Sequence, residues 1–338
     1  MVKKLIFVCI ILFTLVFCVS PAGAGALKGH WKLDTDPNMD PPPADPNVLL
    51  TAVDELGLNH GRLIDDPNWI TGVTGGTFAL QFDGTNYVDM GYYPHEPNTP
   101  DLNMGTGNVS ITAWVKFGYL PPSQLPDGTP LPGHGIIAGK GIMSNDNGYG
   151  LIALDTGQVC FQVREDNISY REAYSNDTDG NWIGFVNDEQ WHHVVGVLER
   201  EQENGTRIYV DGVLQTHYFT DAVSTIGWTY NLDSDTAPFC IGARRSDIMP
   251  EGHIILWWLK GEVDDVQVYD YALTQENIDF LYANPGVPIT VPTCGAWGYQ
   301  AMDFDKNCYV DLADLAAFAA DWMKCTDPAD SVHCIQVN

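Results

Sequence analysis

The chain has 338 residues, with 44 acidic against 16 basic side chains and a formal net charge of −28. This excess of carboxylates repels a phosphate backbone and argues against nucleic acid as a partner. The length suits one large domain plus a small one, and the eight cysteines raise the question of disulfides.

At the N-terminus, Lys3 and Lys4 precede an almost wholly apolar run from Leu5 to Val19, and Ala22-Gly23-Ala24 follows as a small-x-small cleavage site. This pattern predicts an export signal over residues 1–24. The apolar run is short of the about 20 residues that a membrane-spanning helix needs, so no membrane span is expected after signal removal. Cleavage takes away two lysines and brings the formal charge to −30. It also removes Cys9 and Cys18 and leaves six cysteines, an even number that favours disulfides in an exported chain. A secreted or cell-surface protein is expected.

The next region is rich in strand signals. In "NVSITAWVKF" Val109, Ile111, Ala113, Val115 and Phe117 share one face by the two-residue period of a strand. "RIYVDGVLQTHY" reads as a hairpin, with Asp211-Gly212 supplying the positive-φ turn. "GEVDDVQVYDY" is a further strand, and the proline-rich stretch 118–135 reads as a long loop, either an insertion, the favoured reading, or a specificity loop. Residues 274–284 predict a helix capped by Thr274, with Ile278, Leu281 and Tyr282 on one side. Strands and turns dominate, so the fold class expected is all-β: a two-sheet antiparallel jelly-roll sandwich.

Several stretches resemble the laminin-G-like jelly-roll family of the concanavalin A-like lectin/glucanase superfamily. They are "ALQFDGTNYVDMG" (79–91), "VSITAWVKF" (109–117), "WHHVVGVLE" (191–199), "RIYVDGVLQ" (207–215), "FCIGARRS" (239–246) and "LKGEVDDVQVYDYALTQENIDFLY" (259–282), in the family's order. "HWKLDTD" (30–36) resembles its first strand and "NHGRL" (59–63) its early glycine loop. The resemblance covers residues 27–284. It implies two curved sheets face to face, a carbohydrate or protein ligand held on loops or the concave sheet, and in many members a calcium ion.

Chemistry candidates follow from this frame. Glu262 and Asp264 fit the first two places of the superfamily's Glu-x-Asp-x-Glu glucanase strand; the third is Val266, or Gln267 if the strand bulges. Neither can act as the second carboxylic acid, so no catalytic residue is assigned. Asp264 and Asp265 are expected to order a loop or a second calcium ion, with Asp83 or Asp54. His192 and His193 are adjacent on a strand, point to opposite faces, and read as structural. Of Trp257 and Trp258, one ring is expected in the core and the other is a candidate sugar-stacking surface. Cys160 and Cys240 lie in strands and are candidates for one disulfide, or for two buried thiols.

Residues 285–293, within "NPGVPITVPT", read as a stiff linker. Beyond it, residues 294–338 form a cysteine-rich module. Its loop "DFDKNCYVDLAD" offers Asp303, Asp305, Asn307, the Tyr309 carbonyl, Asp311 and Asp314 at EF-hand spacing, with Val310 as the apolar packing residue. A following helix would place Leu315, Phe318, Ala319 and Trp322 on one side. The segment resembles a dockerin module, with one loop where dockerins carry two. That resemblance implies calcium (Ca2+) as cofactor and a cohesin-like or cell-surface partner. Cys308 stands where a glycine is expected. Helix rise separates it from Cys325, which leaves Cys294–Cys308 with Cys325–Cys334, or Cys294–Cys325 with Cys308–Cys334. The whole reads as an exported, non-enzymatic recognition or adhesion protein for a glycan or protein ligand. A glycoside hydrolase and a structural cell-surface protein are the alternatives.

Overall fold

A computed structural model describes residues 25–35, 50–91, 99–121, 123–124, 130–131, 133–141, 147–165, 169–175, 185–215, 223–234, 236–246 and 254–289, together with residues 302, 310, 312, 314 and 315. The chain divides into two compact units, Ala26–Val291 on one hand and Met1–Gly25 with Pro292–Asn338 on the other.

In chain order the strands are β1 (Leu27–Trp31), β2 (Thr51–Ala52), β3 (Gly61–Ile64), β4 (Asn68–Thr71), β5 (Phe78–Asp83), β6 (Tyr87–Asp89), β7 (Val109–Phe117), β8 (Ser123–Gln124), β9 (Pro130–Leu131) and β10 (Gly135–Lys140). They continue with β11 (Gly148–Ala153), β12 (Val159–Arg164), β13 (Tyr170–Tyr174), β14 (His192–Leu198), β15 (Thr206–Val210), β16 (Val213–Leu214), β17 (Phe239–Ile241), β18 (Arg244–Ser246), β19 (Ile254–Leu256) and β20 (Lys260–Tyr269), followed by helix α1 (Gln275–Ala283).

Two large antiparallel sheets result. The first, sheet A, runs β16-β15-β14-β7-β20-β5-β4, with β1 also pairing with β20; the second, sheet B, runs β13-β12-β11-β10-β17-β6-β3-β2. Strands distant in sequence lie side by side, as in a jelly roll: β20 sits between β7 and β5. The main core fills the space between the sheets. Val109, Ile111, Ala113, Val115 and Phe117, the expected inward face of β7, all join it, with Val194 and Ile208 from sheet A and Leu151, Phe161 and Ile241 from sheet B. The Asp211-Gly212 turn has φ of 50° and 80°, as the hairpin needs.

Helix α1 forms as expected, with a capping box between Thr274 and Asn277. Ile278 and Leu281 are buried with Val195, Val197, Tyr209 and Tyr269 on the outer face of sheet A. Burying each contributes about 1.5–3 kcal/mol. Tyr282 is half exposed, but its ring stacks on Trp114 at 5.7 Å.

The first residues read as linker belong to this cover. The Gly286 N–H donates to Asp265 Oδ2 at 2.7 Å, the Ile289 N–H donates to the Tyr269 hydroxyl at 3.0 Å, and Ile289 is buried. An apolar side chain beside two acceptors outweighs the extended bias of the flanking prolines.

Candidate functional site

Cross-strand register builds the site. On sheet B, Glu172, Gln162, Gly150, Gly139, Cys240, Asp89, Arg62 and Thr51 are successive opposed partners from β13 to β2. Their chain neighbours, among them Ala173, Phe161, Leu151, Ile241, Val88 and Leu63, enter the core. The row therefore faces outward.

At the β12–β13 end this outward face is both aromatic and polar. Tyr170, Glu172 and Tyr174 alternate along the edge strand β13, opposite Arg164, Gln162 and Cys160 of β12. The Glu172 carboxylate accepts from Gln162 Nε2 on one oxygen and from the Tyr174 hydroxyl at 2.7 Å on the other. The Arg164 guanidinium lies 5.1 Å from the centre of the Tyr170 ring.

Trp257 completes this corner. It packs half-buried against Ile136, Ile152, Leu154 and Cys160, and His134 meets its ring edge-on at 5.6 Å. Its φ is 53°, a left-handed conformation that costs a bulky residue about 1 kcal/mol or more. Burial lowers the pKa of His134, against the charges of Asp155 and Glu172. Three buried polar atoms here have no hydrogen-bond partner among the described residues: Gln162 Oε1, Arg164 Nε and Trp257 Nε1.

The expectation of one tryptophan in the core and one outside is corrected. Trp258 is also half-buried on the outer face of sheet B, packed with Ile64, Tyr87 and Cys240, and its ring meets Tyr87 edge-on at 5.6 Å. The left-handed turn at Trp257 lets both rings escape strand alternation. The Tyr170–Glu172–Tyr174 comb was not singled out from sequence, although the alternation in "YREAY" is the signal that marks it.

The proposed disulfide is corrected as well. Cys160 and Cys240 are buried thiols that do not bridge. Strands β11 and β10 separate β12 from β17, so three strand steps of about 4.8 Å put them about 14 Å apart, against about 5.5–6 Å between bridged Cα atoms. Burial pushes the Cys160 thiol well above the usual range.

On sheet A, Glu262 lies between Lys116, whose Nζ is 2.9 Å away, and Gln81, whose Nε2 donates at 3.3 Å. The register of β20 shifts between Asp264 and Gln267, and Asp265 has φ of 45°. This bulge puts Gln267 in the third place of the glucanase pattern. Gln267 is buried, donates to Asp265 Oδ1 at 2.9 Å and accepts from the Tyr269 hydroxyl.

The acids proposed for a second calcium ion do not assemble as expected. Asp83 is paired with Lys260, four residues along β20 from Asp264, or about 13 Å at about 3.3 Å per residue. Its Oδ1 takes the N–H and hydroxyl of Thr85. Asp54 is occupied by the N–H groups of His30, Leu56, Leu58 and Asn59. Asp34, not anticipated, joins Asp264 and Asp265 around a cavity of about 140 Å³ that also holds Lys32.

Each of these three carboxylates ties down backbone. Asp34 accepts from the N–H of Phe78, Asp264 from Val73 and Asp265 from Gly286. Burial, against the Val73 hydrogen bond and with the Asp265 charge, lifts the pKa of Asp264 to about 8. Burial also acts to raise Asp265, but the hydrogen bond and charge of His30 hold it below the usual value. Among the described residues, no group of three or more His, Cys, Asp or Glu side chains is arranged to hold a metal ion. Loop ordering, the first of the two roles expected for Asp264 and Asp265, is what these hydrogen bonds perform.

His192 and His193 diverge as expected. His193 is buried and bonds Thr112 Oγ1 at 2.7 Å, whereas His192 bonds Asp211 at 2.7 Å and Asp188 at 3.1 Å. Of the C-terminal loop, Asp303, Asp305, Asn307, Tyr309 and Asp311 lie outside the described residues, as do Cys294, Cys308, Cys325 and Cys334 and the export signal. Asp314 is buried, while Val310, expected to pack, is 56 % exposed. No helix among the described residues is long and apolar enough to cross a membrane.

A family model for the concanavalin A-like lectin/glucanases superfamily matches residues 82–279. No curated protein matches the sequence significantly. Among solved structures, the binding domain of paraclostridial mosquitocidal protein 1 is 12 % identical over 76 % of this chain and 52 % of its own, with a TM-score of 0.47. This chain thus spans about half the length of that domain. Domain 4 of the extracellular arabinanase AbnA of Geobacillus stearothermophilus, solved with arabinotriose, is 15 % identical over 77 % of this chain and 99 % of its own, with a TM-score of 0.46. The sialidase of Trypanosoma rangeli is 15 % identical over 75 % of this chain and 32 % of its own, with a TM-score of 0.45.

Proposed function

The chain belongs to the concanavalin A-like lectin/glucanases superfamily, and on that footing we propose that it binds carbohydrate on the outer face of sheet B, at the corner formed by Tyr170, Glu172, Arg164, Gln162 and Trp257. The observation that carries this reading is a set of three buried polar atoms without a partner among the described residues, Gln162 Oε1, Arg164 Nε and Trp257 Nε1, beside aromatic rings on one sheet face. An unmet buried donor or acceptor costs about 1–3 kcal/mol. A sugar hydroxyl both donates and accepts, and supplies what these atoms lack once the corner opens by a side-chain shift. The Tyr170 ring offers an apolar face to sugar C–H groups. A glycan array probed with and without EDTA tests the reading: binding to at least one glycan supports it, and failure to bind any removes it.

The protein acts here without catalysis. A retaining glycosidase needs two carboxyl groups about 5 Å apart; Glu262 is tied up by Lys116 and Gln81, and the third place of the glucanase pattern on β20 is held by the amide Gln267. Reducing-sugar release that disappears in Glu262→Gln would overturn this. Export through residues 1–24, and attachment to a cohesin-like or cell-surface partner through a calcium-loaded loop at 303–314, complete the proposal and rest on the sequence pattern alone.

A further inference from the structure

We propose that a second cavity, on the outer face of sheet A, binds an amino sugar through its free ammonium group. The cavity measures about 410 Å³ and is lined by Gln81, Asp83, Lys116, Glu189, Lys260 and Glu262, with Gly118 and Gly261 among its walls. That volume lies in the range of small-molecule sites. Its floor is a cross-strand row in which Glu262 is opposed by Lys116 on one side and Gln81 on the other. The 2.9 Å ion pair cancels Glu262 and Lys116. Asp83, Glu189 and the exposed Lys260 remain, and none of them makes an ion pair with a described residue. The uncancelled charge is one positive against two negative, in a chain whose formal charge is −28. A cation entering this cavity is attracted.

Glu189 is built into the wall. Its N–H donates to the Phe117 carbonyl at 3.2 Å, which fastens the loop to the end of β7. Its φ is 61°, a strained value for a glutamate. A Cβ on Gly118 would stand 3.1 Å from Glu189 Oε1, so the glycine leaves the space that the carboxylate fills. The chain therefore holds an exposed carboxylate with no ion pair among the described residues, in a strained conformation, on the wall of a ligand-sized cavity. An ammonium supplies its partner. Ring hydroxyls complement Gln81 and Lys260, and the Trp191 ring stands beside the wall, 6.0 Å from Lys116 Nζ.

Titration calorimetry of the full chain with D-glucosamine, N-acetyl-D-glucosamine and D-glucose tests this, because acetylation removes the charge and keeps the sugar. Glucosamine is expected to bind at least about tenfold more tightly than the other two, consistent with a hydrogen-bonded charge. Added salt weakens that binding, and Glu189→Gln abolishes the preference. Glu189 and Lys260 are exposed, so Glu189→Gln and Lys260→Met are expected to fold. Equal binding of the three sugars, no binding of glucosamine, or a preference that survives Glu189→Gln overturns the proposal. Tyr170→Ala separates the two sites: loss of glucosamine binding in that variant would place the ligand on sheet B and equally overturn it.

Discussion

The Tyr174 hydroxyl donates to the Glu172 carboxylate at 2.7 Å, two residues away on the same outward face of β13. Gln162 Nε2 holds the other carboxylate oxygen. The acid is therefore fixed in direction by two donors on neighbouring strands, and it retains accepting capacity for a ligand hydroxyl. Glu172→Gln keeps the shape and removes the charge. It is expected to weaken glycan binding about 10–100-fold, as loss of a charge-assisted hydrogen bond does, with the melting temperature changed little. Calorimetry and thermal melting on the same sample check both halves.

The two adjacent histidines are expected to titrate on opposite sides of the ordinary value. The hydrogen bond to Asp211 raises the pKa of His192, against burial and with help from Asp188. Burial lowers His193 to about 4, against the charges of Asp265 and Asp211. Protonated His192 stabilises the fold below about pH 6.5, its unfolded value, and that contribution disappears as pH rises through the elevated folded value. For His193 the proton favours the unfolded chain, so stability falls as pH drops from about 6.5 to about 4, by up to about 3 kcal/mol. Imidazole proton shifts followed by NMR should show His193 still neutral at pH 5 and His192 already protonated at pH 6.5. A single shared midpoint would contradict the assignment.

Asp54 gathers four backbone N–H groups from residues 30 to 59. Asp54→Ala strands these donors, two of them on the buried residues His30 and Asn59. A loss of about 2–4 kcal/mol in urea unfolding is expected. A loss below about 1 kcal/mol would show that water replaces the carboxylate.

Cys160 and Cys240 are expected to resist iodoacetamide in the native protein under non-reducing conditions and to react fully on unfolding, with peptide masses locating the label. Protection that persists in denaturant without reductant would indicate a disulfide. For the loop at 303–314, calcium should raise a melting transition and Asp303→Ala should remove the shift; an unchanged curve would dispose of the metal reading.

Much of the sandwich could be read from the chain because its signals are local. The two-residue period of 109–117, the Asp-Gly turn at 211–212 and the N-cap at Thr274 each depend on residues within a few positions, and each formed as expected. Pairing between distant strands was not legible. Cys160 and Cys240 both read as strand residues, but only the sheet order reveals the two strands between them. Asp83 and Asp264 failed to meet for the same reason: register, not composition, sets their separation along β20. At Trp257-Trp258 one left-handed residue defeated the alternation rule and placed both rings outside. The Tyr170–Glu172–Tyr174 comb carried its alternation openly; that its face joins Trp257 and Gln162 is a property of the folded sheet.

The most direct test of carbohydrate recognition on sheet B is affinity electrophoresis through gels containing the polysaccharides selected on the array, comparing the native protein with the Tyr170→Ala/Glu172→Gln double variant. The native protein should be retarded and the variant should run as in a ligand-free gel, with both giving the same far-ultraviolet spectrum and melting temperature. Equal retardation of the two proteins would contradict the site.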